Sequence, residues 1–289
     1  MDRADRNLLS WRPFHFSVHR GVRLRGSDGS DTDNSTWRER LKDRVAERPD
    51  HLWLLSSGTG RANAVKAIAH RKEGFLAAAE AANKHLESTN EDVWFNVLPT
   101  YHVGGLAIFA RANLSGAKVV EPKWKSWDAK EYVKAVNNIK ATLSSLVPTQ
   151  IYDLVYENLP SPMSLRAVVV GGGALSPDLY TKARNLGWPV LPSYGLTECA
   201  SQVATAPLSS LHQDEFPLLT PLSHVELRLR DGRLQISSES VCEWVSTISA
   251  NGQFTMENPA PLGWLQTEDK VELTTAGPLL RAWVLTCTE

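Results

Sequence analysis

An alternation of short apolar runs with helical segments is the feature that most constrains the fold of this 289-residue chain. The predicted strands are 51–55, 93–98, 117–120, 143–147 and 167–170. The predicted helices are 71–87, 105–113, 127–136, a segment that begins at Pro148, and 176–186. This rhythm is typical of parallel strands joined by crossover helices. We therefore expect an α/β fold with a mostly parallel sheet layered with helices.

The pattern changes on both sides of this region. Thr36 and Glu39 fit a capping box for a helix over 37–47. After about residue 207, apolar and polar residues alternate, and Asp231-Gly232 separates two alternating runs as in a tight hairpin. We predict an α/β subdomain over residues 1–206 and a small β-rich subdomain over 207–289, both within one ligand-binding domain.

Composition excludes several classes of partner. The formal net charge is -1, so the chain lacks the positive footprint of proteins that bind nucleic acid or anionic lipid. The N-terminus has no apolar core of a secretory signal, and no run approaches the roughly 20 residues of a membrane span. Cys199, Cys242 and Cys287 are odd in number and far apart, which favours reduced thiols. We expect a cytoplasmic protein without nucleic-acid or membrane partners.

Four polar or glycine-rich segments follow predicted strands, at 56–60, 100–105, 171–174 and 193–198. In open α/β sheets, ligands bind beyond the carboxyl ends of the strands. The coincidence of the four segments at such positions predicts one ligand cleft more strongly than any single motif does.

Two of these segments are suited to a phosphate and a planar group. The Ser-Ser-Gly-Thr-Gly run at 56–60 can aim backbone N–H groups at phosphate oxygens, although its glycine spacing is not that of a Walker loop. The Gly-Gly-Gly-Ala run at 171–174 lets a flat ligand approach the backbone, without the spacing of a dinucleotide fingerprint. An ordinary turn remains the alternative for both.

The Ser-Tyr-Gly-Leu-Thr-Glu run at 193–198 carries the most chemistry. Tyr194 offers a flat face to a purine, Thr197 a hydroxyl to phosphate, and Glu198 a hard carboxylate to Mg²⁺. His102 precedes two glycines that leave room for a ligand beside its ring, but a structural role is the alternative for a lone histidine.

In this order, the segments resemble the AMP-forming acyl-CoA synthetase (adenylate-forming) superfamily, and within it the o-succinylbenzoate–CoA ligases. The resemblance extends from about residue 52 to about residue 277. The matching segments are SSGTG at 56–60, NVLPTYHVGGL at 96–106, VPTQ at 147–150, VVVGGGALSP at 168–177, LPSYGLTECASQVAT at 191–205 and GWLQTED at 263–269.

The resemblance implies an ATP site. The residues that would cradle the β- and γ-phosphates are Ser56, Ser57, Gly58, Thr59 and Gly60. Those that would surround the adenosine are Gly172, Gly173, Ala174, Ser193, Tyr194, Gly195 and Asp269, with Tyr194 stacked on adenine and Asp269 bound to the ribose hydroxyls. Thr197 would contact the phosphates, and Glu198 would hold Mg²⁺.

The resemblance also implies an acid site and a two-step reaction. His102 would flank the acyl pocket and would form the catalytic set together with Thr197 and Glu198, while Gly195, Ser201 and Gln202 would contact the acid. The carboxylate, taken to be o-succinylbenzoate of menaquinone biosynthesis, would attack the α-phosphorus of ATP and expel pyrophosphate. The thiol of coenzyme A would then displace AMP from the acyl-adenylate.

The sequence departs from the family pattern at the phosphate loop, before Asp269 and at its end. The loop is one residue shorter, Ala62-Asn63-Ala64 replaces its usual Pro-Lys-Gly tail, and Glu268 replaces a glycine. We expect the chain to lack the small C-terminal domain, whose lysine serves adenylation. Loss of such a donor costs on the order of 10²–10³ in rate. Candidates to replace that lysine are Arg61, Lys66 and Arg281.

Three readings therefore remain open. The first is a compact acid–thiol ligase. The second is a binding module that holds AMP or an acyl-adenylate without turnover, or that awaits a C-terminal domain from another chain. The third is a relative that shares only the fold, because function resides in sites and not in folds. Separately, apolar surface where the small domain would dock could drive assembly into a homo-oligomer.

Overall fold

The computed structural model describes residues 47–48, 50–57, 65–124, 126–248 and 254–272. These residues form fourteen strands and five α-helices. The strands are β1 (His51–Ser57), β2 (Val65–Arg71), β3 (Val93–Phe95), β4 (Lys118–Val120), β5 (Leu143–Leu146), β6 (Ala167–Val170), β7 (Val190–Leu196), β8 (Ser201–Thr205), β9 (Thr220–Pro221), β10 (Glu226–Arg230), β11 (Arg233–Ser237), β12 (Trp244–Ile248), β13 (Phe254–Glu257) and β14 (Leu265–Gln266). The helices are α1 (Lys72–Leu86), α2 (Val103–Ser115), α3 (Ala129–Ile139), α4 (Pro148–Tyr156) and α5 (Pro177–Asn185).

The central sheet has seven strands in the order β4-β3-β5-β6-β7-β8-β9. The five strands from β4 to β7 are parallel, and β8 and β9 extend the sheet with antiparallel pairing. Strands β3 to β6 and all five helices fall at their predicted places, with bounds that differ by a few residues. The predicted α/β class, with a mostly parallel sheet layered with helices, is confirmed.

Helices cover both faces of this sheet. Val169 packs into an apolar cluster with side chains of α1 and α2, whereas Val168 and Val170 pack into another with side chains of α3, α4 and α5. The division follows from the two-residue period of a strand, which sends neighbouring side chains to opposite faces. Full burial of each such valine stabilises the fold by about 1.5–3 kcal/mol.

Two of the helices that follow central strands begin with proline. Pro148 and Pro177 are the first residues of α4 and α5, where a missing N–H leaves no hydrogen bond unmade. Ser176 caps α5 because its hydroxyl accepts a hydrogen bond from Leu179 N–H. These starts place the turns after β5 and β6 at one edge of the sheet.

The expectation that residues 51–55 belong to the parallel sheet is wrong. β1 pairs antiparallel with β2, and the two lie in a separate sheet of order β1-β2-β12-β13. A short connection can reverse a chain into an antiparallel partner, so this pair needs no crossover helix. The backbone of Ser56 and Ser57 lies in β1 and not in a turn, and β2 was missed because its alanines are weak indicators of a strand.

The sequence predicted that residues 193–198 follow a strand, but most of them lie within one. β7 continues through Leu196 and pairs with β8, with a bulge between Tyr194 and Gly195. Only Thr197 and Glu198 come after the strand, in a short 3-10 helix that ends at Cys199. The antiparallel pairing with β8 prolongs β7, and β8 itself was not predicted from the sequence.

The predicted hairpin is confirmed. Asp231 (φ 53°) and Gly232 (φ 73°) form the two-residue turn between β10 and β11, and both adopt the positive φ that such a turn requires. β14 completes a three-stranded sheet with them. Strands on the two sides of residues 206 and 207 pair with each other, because β12 pairs with β2 and β9 pairs with β8. The division into two subdomains at this position stays a prediction.

The helix predicted over 37–47 lies outside the described residues apart from its last residue. Among the helices that the structure describes, none combines the length and the apolar character needed to cross a membrane.

Candidate active site

The turns after β5 and β6 meet at the carboxyl edge of the central sheet. Gly172 has φ +77°, and a Cβ added to it would lie 3.6 Å from the Val147 side chain; one added to Gly173 would lie 3.6 Å from the Pro148 ring. Gly171 faces the Ser193 carbonyl of β7 in the same way, at 3.2 Å. Because residues 172–174 are exposed, the glycine turn presents its backbone to solvent and to a ligand.

Gly195 is required by the crossing of β7 and β8. A Cβ at this position would collide with the backbone carbonyl of Ser201. The two strands therefore approach closely at the bulge, which brings Ser201 beside the start of the Thr197–Cys199 turn. This glycine has a structural reason that is independent of any ligand.

Tyr194 and Asp269 are brought together from distant parts of the chain. The Tyr194 hydroxyl donates a hydrogen bond to Asp269 Oδ2 at 2.7 Å. Burial, followed by the negative charge of Asp269, raises the pKa of Tyr194 far above its usual value, so the hydroxyl keeps its proton. The Tyr194 ring is only 4% exposed, which differs from the open face expected for stacking on adenine; its contact with a nucleotide stays a prediction.

Asp269 itself is anchored through its backbone. Its N–H donates to Thr267 Oγ1 at 3.2 Å, and its carbonyl accepts from Leu234 N–H at 3.1 Å. The carboxylate is half-buried, with one oxygen bound to Tyr194. An ionised carboxylate has about four acceptor positions, so the group can still accept hydrogen bonds from a ligand hydroxyl.

The turn that carries Thr197 and Glu198 ends in an unusual backbone. Ala200 (φ 56°) and Ser201 (φ 102°) are consecutive non-glycine residues with positive φ. Such conformations cost of order 1–3 kcal/mol each and tend to occur at functional sites. Thr197 and Glu198 are half-buried, so both are within reach of a ligand at the end of β7.

His102 is exposed at the start of α2, where its backbone caps the helix. Its ring lies 4.5 Å from the Tyr101 ring, centroid to centroid. Partial burial lowers the pKa of His102 below the ordinary histidine value, so the ring is neutral near pH 7. Helix α2 then packs against Ala200 through the apolar cluster that contains Leu106, Ala107 and Ala110.

Arg111, near the end of α2, was not singled out from the sequence. It is 3% exposed, its Nη2 lies 3.4 Å from Ser201 Oγ, and its guanidinium lies 5.9 Å from the centroid of the Trp94 ring. No carboxylate among the described residues forms an ion pair with it, and its Nε has no hydrogen-bond partner among them. Burial lowers the pKa of Arg111 to about 10, which leaves it charged at neutral pH.

A buried, unpaired cation is costly. Loss of hydration disfavours the charge by several kcal/mol unless an anion compensates it. The signal available in the sequence was one arginine within an otherwise apolar helix, VGGLAIFARANLS. A periodicity argument assigns that helix to the core and gives no reason to expect a ligand there.

Gln202 lies in a buried polar group instead of facing an open acid pocket. Its Nε2 donates to Thr205 Oγ1 at 2.6 Å and lies 3.3 Å from Ser193 Oγ, while its Oε1 is buried without a partner among the described residues. Ser193 and Thr205 hydroxyls are 2.8 Å apart. The contacts of Ser193 and Gln202 with nucleotide or acid stay predictions.

Several predicted features cannot be compared with the structure. Gly58, Thr59, Gly60, Arg61 and Arg281 lie outside the described residues, as do Ala62-Asn63-Ala64 and Cys287. Cys199 and Cys242 are buried free thiols, and burial raises the pKa of both. Neither is therefore a nucleophile.

The described residues contain no group of three or more histidine, cysteine, aspartate or glutamate side chains that could hold a metal ion. Mg²⁺ is bound in many proteins through one or two carboxylates together with substrate phosphates. Glu198, two residues after the end of β7, fits that kind of site, and a closed all-protein metal cage does not fit the described part of the chain.

The fold and this arrangement agree with a family match. Residues 17–239 match the model of a family described as AMP-binding enzyme. Because the match covers more than half of the chain, the chain belongs to the AMP-binding enzyme family. The sequence interpretation of an adenylate-forming large domain is thereby confirmed.

Within this family, the chain is similar to curated proteins and solved structures of one kind of ligase. The chain is 30% identical over 194 residues to a 2-succinylbenzoate–CoA ligase of Staphylococcus epidermidis, which covers 65% of this chain and 40% of the relative. It is similar to o-succinylbenzoate coenzyme A synthetase (MenE) of Bacillus subtilis in complex with ATP and magnesium ion, with TM-score 0.67 and 25% identity over 79% of this chain and 48% of that one. A structure of E. coli MenE with bound OSB-AMS gives TM-score 0.61 and 28% identity over 79% of this chain and 47% of that one. The chain thus spans less than half the length of these relatives.

Proposed function

We propose that this chain binds ATP and 2-succinylbenzoate and forms the acyl-adenylate, as the first step of an AMP-forming acid–thiol ligase in menaquinone biosynthesis. The single observation that carries the proposal is the buried, unpaired Arg111 beside Ser201, at the edge of a nucleotide-binding fold. 2-Succinylbenzoate has two carboxylates, of which one is activated and the other keeps its charge. Arg111 supplies the cation for the one that stays charged.

The nucleotide would bind at the carboxyl edge of the central sheet, at the glycine turn and Asp269. The exposed backbone of residues 172–174 accepts the flat adenine, and Asp269, held by Tyr194, accepts hydrogen bonds from the ribose hydroxyls. Thr197 contacts the phosphates, and Glu198 would hold Mg²⁺, which when bound neutralises phosphate charge. The acid carboxylate attacks the α-phosphorus, an acyl–phosphate bond forms, and the bond to pyrophosphate breaks. Such transfers depend mostly on positioning and charge neutralisation.

His102 is a neutral exposed ring at the start of α2, nine residues before Arg111. At about 1.5 Å of rise per residue, the two positions are roughly 13 Å apart along the helix. In this proposal the neutral ring of His102 lies near the activated carboxylate, as the family resemblance implies, and Arg111 serves the distal carboxylate. The name of the similar Staphylococcus relative, 2-succinylbenzoate–CoA ligase, supports the same substrate.

The test is pyrophosphate release by the purified chain with ATP, Mg²⁺ and 2-succinylbenzoate, with acyl-AMP identified by mass spectrometry. The matched acid is 4-oxo-4-phenylbutanoate, which has the same skeleton without the ring carboxylate. We expect product from 2-succinylbenzoate and much less from the matched acid. Equal activity with the two acids would contradict the role of Arg111, and addition of coenzyme A tests the thioester step.

A calorimetric titration with a non-hydrolysable acyl-adenylate analogue accompanies the assay. Binding of the analogue without pyrophosphate release would show that the chain is a binding module without turnover. Absence of both ATP and analogue binding would contradict the proposal and the binding module alike.

A further inference from the structure

All three backbone carbonyls of the Thr197–Cys199 turn are bound by residues from outside the central sheet. The Thr197 carbonyl lies 2.7 Å from His70 Nε2, the Glu198 carbonyl accepts from Cys242 N–H at 2.8 Å, and the Cys199 carbonyl accepts from Ser240 Oγ at 3.2 Å. These partners come from β2 and from the loop that precedes β12. The turn is thus held on its carbonyl side by the four-stranded sheet and its loop.

His70 is buried with both ring nitrogens close to backbone carbonyls. It is 1% exposed, and its other ring nitrogen, Nδ1, lies 3.2 Å from the Ser240 carbonyl, so both nitrogens face acceptors. Burial lowers the pKa of His70 to about 4, although the two carbonyls favour the charged form. The neutral ring has one N–H to donate, and the shorter contact assigns it to Nε2 and the Thr197 carbonyl. Phe75 packs edge-on against the ring, with centroids 6.0 Å apart.

The loop that supplies the other two contacts is itself fixed. A Cβ on Gly74 would collide with the Glu239 carbonyl, so the loop rests directly on the first turn of α1. Ser240 N–H donates to Ser238 Oγ at 3.1 Å, and Glu243 N–H donates to the Ala69 carbonyl at 2.9 Å. The loop is therefore a rigid support for the turn.

The turn needs such support. It is only three residues long, and the two residues that follow it, Ala200 and Ser201, have strained positive φ values. Strained backbone persists only where the surroundings determine it. Contacts that bind each carbonyl offset the strain and fix the direction in which Thr197 and Glu198 leave the backbone.

We infer that His70 and Ser240 are positioning residues, which hold the Thr197–Cys199 turn in the conformation that binds magnesium nucleotide. This inference rests on the proposed function. His70 acts through the Thr197 carbonyl and Ser240 through the Cys199 carbonyl, and neither touches the nucleotide. Their replacement weakens the dependence of ATP binding on Mg²⁺ more than it weakens ATP binding without the metal.

The test compares two substitutions of His70. His70→Asn shortens the side chain and loses the contact with Thr197, whereas the longer amide of His70→Gln reaches about as far as Nε2 and can donate in its place. We expect His70→Asn to raise the Mg²⁺ concentration for half-maximal ATP binding about tenfold, with His70→Gln within about threefold of the wild type. Calorimetry measures ATP affinity with and without Mg²⁺, and thermal unfolding measures the fold.

Two control variants match the substitutions. His85→Asn removes another histidine whose Nε2 lies 3.0 Å from a backbone carbonyl, that of Ala206, away from the turn. Ser246→Ala removes a buried hydroxyl of β12 that has no partner among the described residues, to be compared with Ser240→Ala. We expect Ser240→Ala to weaken the Mg²⁺ response about threefold and both controls to leave it unchanged.

The outcomes distinguish failure of the proposed function from failure of the positioning role of His70 and Ser240. A wild-type chain that binds no ATP overturns the proposed function. A wild-type chain with Mg²⁺-dependent ATP binding, combined with His70→Asn and Ser240→Ala variants that keep the same dependence, overturns the positioning role alone. If His70→Asn does not fold, His70→Gln and Ser240→Ala decide: the wild-type metal response in Ser240→Ala contradicts the inference.

Discussion

Two arginines that pack near the central sheet differ in how the chain compensates their charge. Arg166, before β6, donates to both oxygens of Asp92 at 2.8 and 2.7 Å and to the carbonyls of Leu86 and Glu87. Arg111, on α2, has a serine hydroxyl at 3.4 Å and no carboxylate among the described residues. A bidentate ion pair that ties α1 to the sheet needs no ligand. In the proposed function the substrate supplies the anion that Arg111 lacks, so Arg166 is a structural charge and Arg111 is the proposed binding charge.

The largest effect should come from Arg111→Met, which keeps the apolar stem and removes the charge. We expect the affinity for 2-succinylbenzoate to fall by about thirtyfold or more, because loss of one partner of a buried charge pair costs about 2–5 kcal/mol. Calorimetry with the acid in the presence of ATP measures it. The same change should leave the free energy of unfolding unchanged or higher, because an uncompensated buried charge is removed.

The matched acid sharpens this prediction. The affinity for 4-oxo-4-phenylbutanoate, which has no second carboxylate, should change by less than about threefold in Arg111→Met. An equal loss for both acids would mean that the substitution disturbs the pocket in general. In that case Arg111 would not be the residue that binds the second carboxylate.

The next effect should come from Asp92→Ala, which leaves Arg166 without its carboxylate. We expect the free energy of unfolding to fall by about 2 kcal/mol, because the change removes charged hydrogen bonds of a carboxylate that is 5% exposed, while the partly exposed Arg166 can still be hydrated. Denaturant unfolding measures the change, and ATP affinity of the folded variant should stay at the wild-type value. Lys134→Ala, which breaks an exposed pair with Glu131, should change the free energy by about 0.5 kcal/mol or less.

The same contrast shows what the sequence could predict and what it could not. Strands β3 to β6 and their helices follow from apolar periodicity, and Pro148 and Pro177 mark helix starts, because these signals are local. The pairing of β1 with β2, and of β2 with β12, depends on partners far apart in the chain and left no local pattern. Sequence reasoning therefore found the parallel sheet and missed the sheet that supports the Thr197–Cys199 turn.

The candidate site divides in the same way. Gly172, Tyr194, Thr197, Glu198 and Asp269 were predicted because they form recognisable motifs, and the structure brings Tyr194 to Asp269 across 75 positions of sequence. Arg111 and His70 were missed because each looks like a polar residue in an apolar element. Their importance lies in which atoms surround them, and only the folded chain gives that information.

A smaller effect should come from the removal of a tyrosine hydroxyl that donates to a carboxylate, compared with the removal of one that has no partner among the described residues. Tyr194 donates to Asp269, whereas the buried hydroxyl of Tyr180 has no hydrogen-bond partner among the described residues. We expect Tyr194→Phe to lower the free energy of unfolding by about 1 kcal/mol and to weaken ATP binding about fivefold, because it frees the Asp269 carboxylate. Tyr180→Phe should be neutral or stabilising in the same denaturant and calorimetric measurements. Similar losses in both variants would show that the Tyr194–Asp269 contact has no special role.

The smallest effect should be the pH dependence that the Asp92–Arg166 pair gives to stability. Burial raises the pKa of Asp92, but hydrogen bonds from Arg166, Thr89 N–H and Thr142, together with the charge of Arg166, outweigh it and hold the pKa below the ordinary 3.8. A carboxylate with a lowered pKa in the folded state stabilises that state fully above its unfolded pKa and loses this contribution as the pH falls through the folded value.

The difference in free energy of unfolding between wild type and Asp92→Ala should therefore be constant from pH 7 to about pH 5 and should shrink below pH 3.8, as part of the total loss in that variant. Arg111 has no carboxylate among the described residues to titrate, so the difference between wild type and Arg111→Met should not change over this range. Denaturant unfolding at several pH values measures both differences. If the Arg111 difference also changed below pH 3.8, Arg111 would have an acidic partner within the protein, and the need for an anionic ligand would disappear.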